Sequence, residues 1–219
     1  IFLFQLQLAI VYFYAGVAKL NYDWIVEALP LKIWLPSRSD LPIIGELLQL
    51  ESLAYLFSWG GALYDLSIPF LLFHRKTRGL AYFFVIVFHW LTFVLFQIGM
   101  FPFIMIGATL IFFSEEFHLH LIRRFRSIMG YKVKEVESFF QSKWSVNIPL
   151  VFLIVFFSFQ LVIPWRYLAY PGELFWTEEG YRFSWRVMLM EKAGYAIFHV
   201  SDPDSGRSWE VNNYDFLNP

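Results

Sequence analysis

Long apolar runs separated by short polar turns decide most of what this chain can fold into. A helix that crosses the ~30 Å hydrocarbon core of a bilayer needs about 20 mostly apolar residues. Ile1–Leu20, Leu53–Phe73, Leu80–Ile98 and Ile148–Ile163 fit that description, the last slightly short. A fifth run, Phe101–Phe113, is brief alone but follows its predecessor across a Gly99-Met100-Phe101-Pro102 corner. Proline has no backbone N–H to donate, so a helix break is expected there and residues 80–113 read as a helical hairpin. Composition points the same way: the chain is 58% hydrophobic and 16% charged, against ~45–50% and ~25% in soluble domains. A soluble chain of 219 residues has too little interior to hide that much apolar surface, so lipid is its natural solvent. The expected fold class is an all-α polytopic membrane helix bundle over residues 1–163, followed by the start of a β-rich extramembrane domain over residues 164–219.

The tail carries the β expectation. Tyr181–Met190 and Tyr195–Ser201 are strand-like, Asp202-Pro203-Asp204-Ser205-Gly206 is turn chemistry, and Ser208–Val211 returns as the second arm of a hairpin. Basic residues orient the spans. If Ile1–Leu20 runs outward from the cytoplasm, the turn His74-Arg75-Lys76-Thr77-Arg78 faces inside. So does the linker Ser114–Asn147, with Arg123, Arg124, Arg126, Lys132, Lys134 and Lys143. The acidic loop Asn21–Ser52 and the tail from Pro164 then face the luminal or periplasmic side. Trp24 and Trp34 suit a helix lying at the interface within Tyr22–Leu35. A net charge of -1 favours no nucleic-acid partner. The absence of cysteine excludes a disulfide framework, a thiolate metal site and a cysteine nucleophile. Ile1 lies inside an apolar run, so the chain reads as a piece of something longer. Ile1–Lys19 has neither the basic region nor the cleavage site of a signal peptide.

Polar residues inside membrane spans are costly and mark candidate sites; Lys19, Asp65 and His89 stand out. At ~100° per residue, Gln5, Tyr12, Gly16 and Lys19 fall on one stripe of the first span, suited to helix packing or a cavity wall. The simpler reading of Lys19 is an amine snorkelling to the interface, paired with Asp23 at i+4. The functional reading is a base, which requires a neutral amine. Burial favours the neutral form of an amine and a neighbouring carboxylate opposes it, so the orientation of Asp23 matters. Asp65, near the middle of its span, must be protonated, hydrated or paired, because a carboxylate facing lipid costs at least ~2.5 kcal/mol. An anchoring role between helices and a catalytic one stand even. His89 shares its face with Tyr82, Phe93 and Phe96: either ordinary packing around an inter-helix hydrogen-bonder, or an aromatic wall for a flat quinone ring. His118-Leu119-His120 has no third or fourth ligand nearby, and no metal site is expected.

Several segments then follow one another in a telling order. They are Tyr12-Phe13-Tyr14-Ala15-Gly16-Val17-Ala18-Lys19-Leu20 with Asp23-Trp24, Gly60-Gly61-Ala62-Leu63-Tyr64-Asp65-Leu66-Ser67, Phe88-His89, and Leu95-Phe96-Gln97-Ile98-Gly99-Met100-Phe101. Together they resemble the membrane half of the vitamin K-dependent γ-glutamyl carboxylase family, of the horizontally transferred transmembrane type. Tyr181-Arg182-Phe183-Ser184-Trp185 is similar to the tract that opens that family's luminal domain. The resemblance implies γ-carboxylation of peptide glutamate coupled to epoxidation of reduced vitamin K, with O2 and CO2 as co-substrates. By matching position Lys19 is the base toward the hydroquinone, His89 orients the quinone or shuttles a proton, and Asp65 matches an aspartate of unassigned role. The implied cofactor-binding set is Tyr12, Phe93, Phe96, Gly99 and Met100. The implied partners are the lipid bilayer and a Glu-containing peptide or protein. Ala18 stands where animal members carry a second lysine.

Two other readings accompany this one. A non-enzymatic scaffold, assembly or export factor of the same helical family should show no closed pocket around Lys19 and His89. A proton-coupled transporter using Lys19, Asp65 and His89 should show a polar route to both faces. A carboxylase should gather Lys19 and His89 around one apolar pocket.

Overall fold

The structure, a computed structural model, describes residues 1–96, 98–129, 147–190, 192 and 197–211. Gln97, the linker lysines Lys132, Lys134 and Lys143, and the first residues of the expected strand Tyr195–Ser201 lie outside the described residues. The chain forms two compact units, Ile1–Leu189 and Met190–Pro219.

The first unit is helical, as its apolar runs require. It begins with α1 (Phe2–Ala18) and a loop holding two short helices, α2 (Tyr22–Ile25) and α3 (Leu31–Trp34). Then come α4 (Glu51–Phe73), α5 (Arg78–Leu95), α6 (Phe101–Thr109) with a 3-10 turn at Leu110–Phe112, and α7 (Glu115–Ile128). α8 (Asn147–Val162) runs on as 3-10 helix through Ile163–Ala169, and α9 (Leu174–Thr177) follows. Glu51–Phe73, Arg78–Leu95 and Leu150–Ala169 are long and apolar enough to cross a membrane, while Phe2–Ala18 and Phe101–Phe112 are shorter apolar helices. Large side chains such as Leu56, Leu63, Phe70, Phe83 and Trp90 stay exposed on the outside of the bundle, the arrangement expected where lipid is the solvent.

Local chemistry explains the joints. Gly99 adopts φ +61°, a conformation side chains resist, and Pro102 lies in the first turn of α6, where a missing N–H costs nothing. The chain therefore reverses between α5 and α6. α1 packs chiefly on α4 through its expected stripe. A Cβ on Gly16 would lie 2.7 Å from Leu66 Cγ, so glycine is what lets these two helices approach. On the same stripe Gln5 donates to the Ile111 carbonyl at 2.8 Å. α8 is tied to α1 by polar contacts, which are directional where apolar packing is not. Tyr14 Oη donates to the Leu161 carbonyl (2.7 Å) and accepts from Trp165 Nε1 (3.0 Å).

The second unit contains the expected hairpin. β1 (Phe198–Ser201) pairs antiparallel with β2 (Ser208–Val211), Phe198 opposite Val211 and Ser201 opposite Ser208. Asp202 builds the turn, accepting from the Asp204 N–H (3.0 Å) and from Ser205 Oγ (2.5 Å), and Gly206 supplies φ +67°. The strand expected at Tyr181–Met190 is corrected. Those residues make turns, with Phe183, Trp185 and Met188 at φ +61°, +57° and +53°. Ser184 and Leu189 are buried while Phe183 is 74% exposed, so burial there follows the turns and not the aromatic–polar alternation of a pleat.

Candidate functional site

α1 ends at Ala18, which leaves Lys19 at its C-terminal edge. Its amine lies 2.6 Å from Asp65 Oδ2 and 3.3 Å from the Ala15 carbonyl, with the Trp24 ring centroid at 5.5 Å. Both charged side chains are nearly enclosed, Lys19 at 12% and Asp65 at 7% exposure. Two expectations are corrected. The carboxylate beside Lys19 is not Asp23, because the helix stops at Ala18 and the i+4 rule lapses with it; Asp23 lies instead in the first turn of α2. Nor is the amine free of any carboxylate, because the close approach of α1 and α4 brings Asp65 to it. Asp65 thereby has the partner its depth demanded.

A second polar group lies across α1, α5 and α6. Tyr12 Oη is 3.2 Å from His89 Nε2 and 3.3 Å from Thr109 Oγ1. Thr109 Oγ1 in turn donates to the Met105 carbonyl at 2.7 Å. Tyr12, His89 and Thr109 are all buried. The other ring nitrogen of His89, Nδ1, is buried and has no hydrogen-bond partner among the described residues. Buried polar atoms are almost always paired, so an orphan of this kind asks for an explanation.

Both groups face one cavity of about 170 Å³. Lys19, Asp65, Tyr12 and His89 supply its polarity, and Trp24, Trp34, Phe57, Phe88, Phe96 and Phe101 supply its aromatic wall. The loop positions Trp24: its Nε1 donates to the Ser58 carbonyl at 2.8 Å, Ser58 Oγ donates back to the Trp24 carbonyl, and Trp59 Nε1 donates to Ile25 at 2.8 Å. Trp185, Val187 and Met188 close another side. That segment is held by Arg186, which donates to the Ala18 carbonyl at 3.5 Å and lies 4.4 Å from the Tyr167 ring centroid. A cation at the C-terminal end of α1 also meets the negative pole of the helix dipole.

The cavity gathers Lys19, Asp65, His89, Tyr12 and Phe96 of the expected set, and leaves out Phe93, Gly99 and Met100. α5 ends at Leu95 and Phe96 is extended (φ −126°, ψ 140°), so helical spacing no longer relates Phe96 to Phe93. Phe96 turns to the cavity, while Phe93 packs on Phe103 at 4.8 Å between ring centroids. Phe93 and Gly99 border a second, outer depression with Arg38, Leu41 and Val94, which Phe96 also lines from its other side. Met100, at the outer side of the corner, is 68% exposed. Tyr82 donates to the Ile106 carbonyl at 3.3 Å and is not part of the wall. His118 and His120 gather no third metal ligand among the described residues. Sequence reasoning missed Thr109 and Trp185; a lone hydroxyl in the apolar run Phe101–Phe113 was the available signal for the first. Chemically, the walls offer stacking faces, one amine–carboxylate pair and the His89 imidazole. That set suits a flat aromatic ring bearing oxygen substituents.

The HTTM domain family matches residues 1–117, more than half of the chain, and the lumenal domain family of vitamin K-dependent gamma-carboxylase matches residues 145–219. No solved structure matches the chain.

Proposed function

The chain belongs to the vitamin K-dependent gamma-carboxylase family, and on that premise we propose that it couples epoxidation of reduced vitamin K by O2 to γ-carboxylation of glutamate in a peptide. The observation that carries this reading is a single apolar cavity bordered by Lys19, Asp65, Tyr12 and His89. The residues present fit the cofactor: the aromatic wall matches a naphthoquinone face, and the unpartnered His89 Nδ1 matches a ring oxygen substituent. When bound, the reduced cofactor supplies on oxidation by O2 the basicity that a side-chain amine lacks for removing a glutamate γ-proton.

Lys19 Nζ is the group placed to take the proton from the cofactor hydroxyl. Because Asp65 holds that nitrogen at 2.6 Å, the amine becomes a base only when its own proton passes to Asp65 or the pair opens. Asp65 thus acquires two tasks, fixing the amine at the cavity edge and holding the displaced proton. His89 binds the cofactor at Nδ1, and Tyr12 fixes the imidazole from its other side. Trp24, Trp185, Val187 and Met188 keep water away, without which a strong base would be quenched. In the same reading the helices form a multi-pass bundle whose cavity end faces the lumen or periplasm, and a Glu-containing peptide approaches from that side.

The test supplies membranes holding the protein with reduced vitamin K, labelled bicarbonate and a Glu-containing peptide. The expected products are labelled peptide carboxylate and vitamin K epoxide. Absence of both, together with proton flux in proteoliposomes, would move the reading to a transporter; absence of products and flux alike would leave a scaffold.

A further inference from the structure

The hydrogen bonds around His89 can be assigned one proton at a time. A carbonyl only accepts, so the single hydroxyl proton of Thr109 goes to the Met105 carbonyl (2.7 Å). Thr109 Oγ1 is then an acceptor, and its contact with Tyr12 Oη (3.3 Å) uses the only proton Tyr12 has. Tyr12 Oη is left to accept, so the bond to His89 Nε2 (3.2 Å) requires a proton on that nitrogen. A neutral imidazole carries one N–H, so Nδ1 has none. For a neutral imidazole this is the one arrangement in which all three contacts are hydrogen bonds, and it turns the orphaned Nδ1 into a pure acceptor.

We infer that Thr109 is a positioning residue which, through Tyr12, holds His89 with its proton on Nε2 and so makes the cavity select a reduced ring over an oxidised one. A quinol hydroxyl donates to a bare Nδ1. A quinone carbonyl has only lone pairs to offer, and burying it against another acceptor leaves both unsatisfied. The inference rests on the quinone reading of the cavity, but its first half, the tautomer, is a property of the protein alone. Replacing Thr109 by Val keeps the shape and removes the acceptor. The Tyr12 proton then turns to His89 Nε2, the imidazole proton moves to Nδ1, and the preference of the site reverses.

The experiment has two arms. Nitrogen NMR of protein labelled with 15N-histidine in nanodiscs, with the His89 signals assigned by their loss in His89→Gln, reads the tautomer without any ligand. Wild type should show Nε2 protonated and Nδ1 bare. Thr109→Val should exchange them, Thr109→Ser should restore the wild-type pattern, and Tyr82→Phe, whose hydroxyl donates to the Ile106 carbonyl, should leave it unchanged. The second arm measures anaerobic binding of menadiol and menadione. Thr109→Val should shift the ratio of their affinities toward menadione by about tenfold, the scale of one buried hydrogen bond. A wild-type Nδ1 that carries the proton overturns the inference, and this result needs no variant to fold. An unchanged tautomer in Thr109→Val, or a changed one in Tyr82→Phe, overturns it as well. Exchange of the tautomer with an unchanged affinity ratio overturns the selectivity. Exchange of the tautomer with neither ring bound by wild type upholds the relay and defeats the quinone reading instead.

Discussion

Two lysines in this chain are built alike and placed differently. Lys19 Nζ sits 2.6 Å from Asp65 Oδ2 with a Trp24 ring centroid at 5.5 Å; Lys32 Nζ sits 2.6 Å from Glu51 Oε1 with a Tyr55 ring centroid at 4.6 Å. What separates them is access to water, because Asp65 is 7% exposed and Glu51 is 68% exposed. In water the solvation lost on pairing nearly cancels the attraction gained, and salt screens what is left. In a dry cavity both the attraction and the cost of losing a partner grow. The same contact is therefore a surface ornament in the loop and a committed arrangement in the bundle.

The largest effect should come from breaking the inner pair. Asp65→Ala leaves a buried ammonium without a partner and should cost about 3–5 kcal/mol of stability, read by denaturant or thermal unfolding in detergent. Combining Asp65→Leu with Lys19→Met should recover most of that loss, because two apolar side chains bury no charge. Wild-type melting of Asp65→Ala would show the inner pair to be solvated and would erase the contrast. Next, His89→Ala should weaken binding of a reduced naphthoquinone head group by about tenfold; unchanged affinity would return His89 to helix packing.

The smallest effect belongs to the outer pair, where Glu51→Gln should leave the melting temperature unchanged within error at moderate salt. Its pH dependence should be flat near neutrality. The Glu51 carboxylate, and after it the Tyr55 hydroxyl, raise the Lys32 amine above its ordinary 10.5. Any stability from that link is complete below the ordinary value and fades only as pH climbs through the raised one. A Glu51→Gln defect that appears as pH moves across neutrality would contradict this.

How much of this was legible in the sequence depends on the range of the physics involved. Apolar runs long enough for a bilayer, the Gly99–Pro102 corner and the Asp202–Gly206 turn are local properties, and the helices, the reversal and the hairpin appear where those residues put them. The stripe Gln5, Tyr12, Gly16, Lys19 was legible for the same reason, since helical spacing holds throughout α1. Spacing arguments failed where a helix stopped. Asp23 lost its i+4 relation to Lys19 beyond Ala18, and Phe96 left the face of Phe93 beyond Leu95. Long-range pairing was invisible: nothing near Asp65 in the chain announces Lys19, 46 positions away. The turns at 181–189, which bring Trp185 to the cavity, depend on positive φ at non-glycine residues, for which the sequence carries no marker.

The central claim is that the Lys19 amine, held by Asp65 at the cavity edge, is the base that deprotonates the reduced cofactor. Epoxide formation by Lys19→Ala, measured with and without an added small primary amine, tests it most directly. Lys19→Ala should form at least about a hundredfold less epoxide than wild type, the scale of a general base. The added amine should restore part of it, which would also show that the variant is folded. Wild-type epoxidation by Lys19→Ala with no amine added would contradict the account.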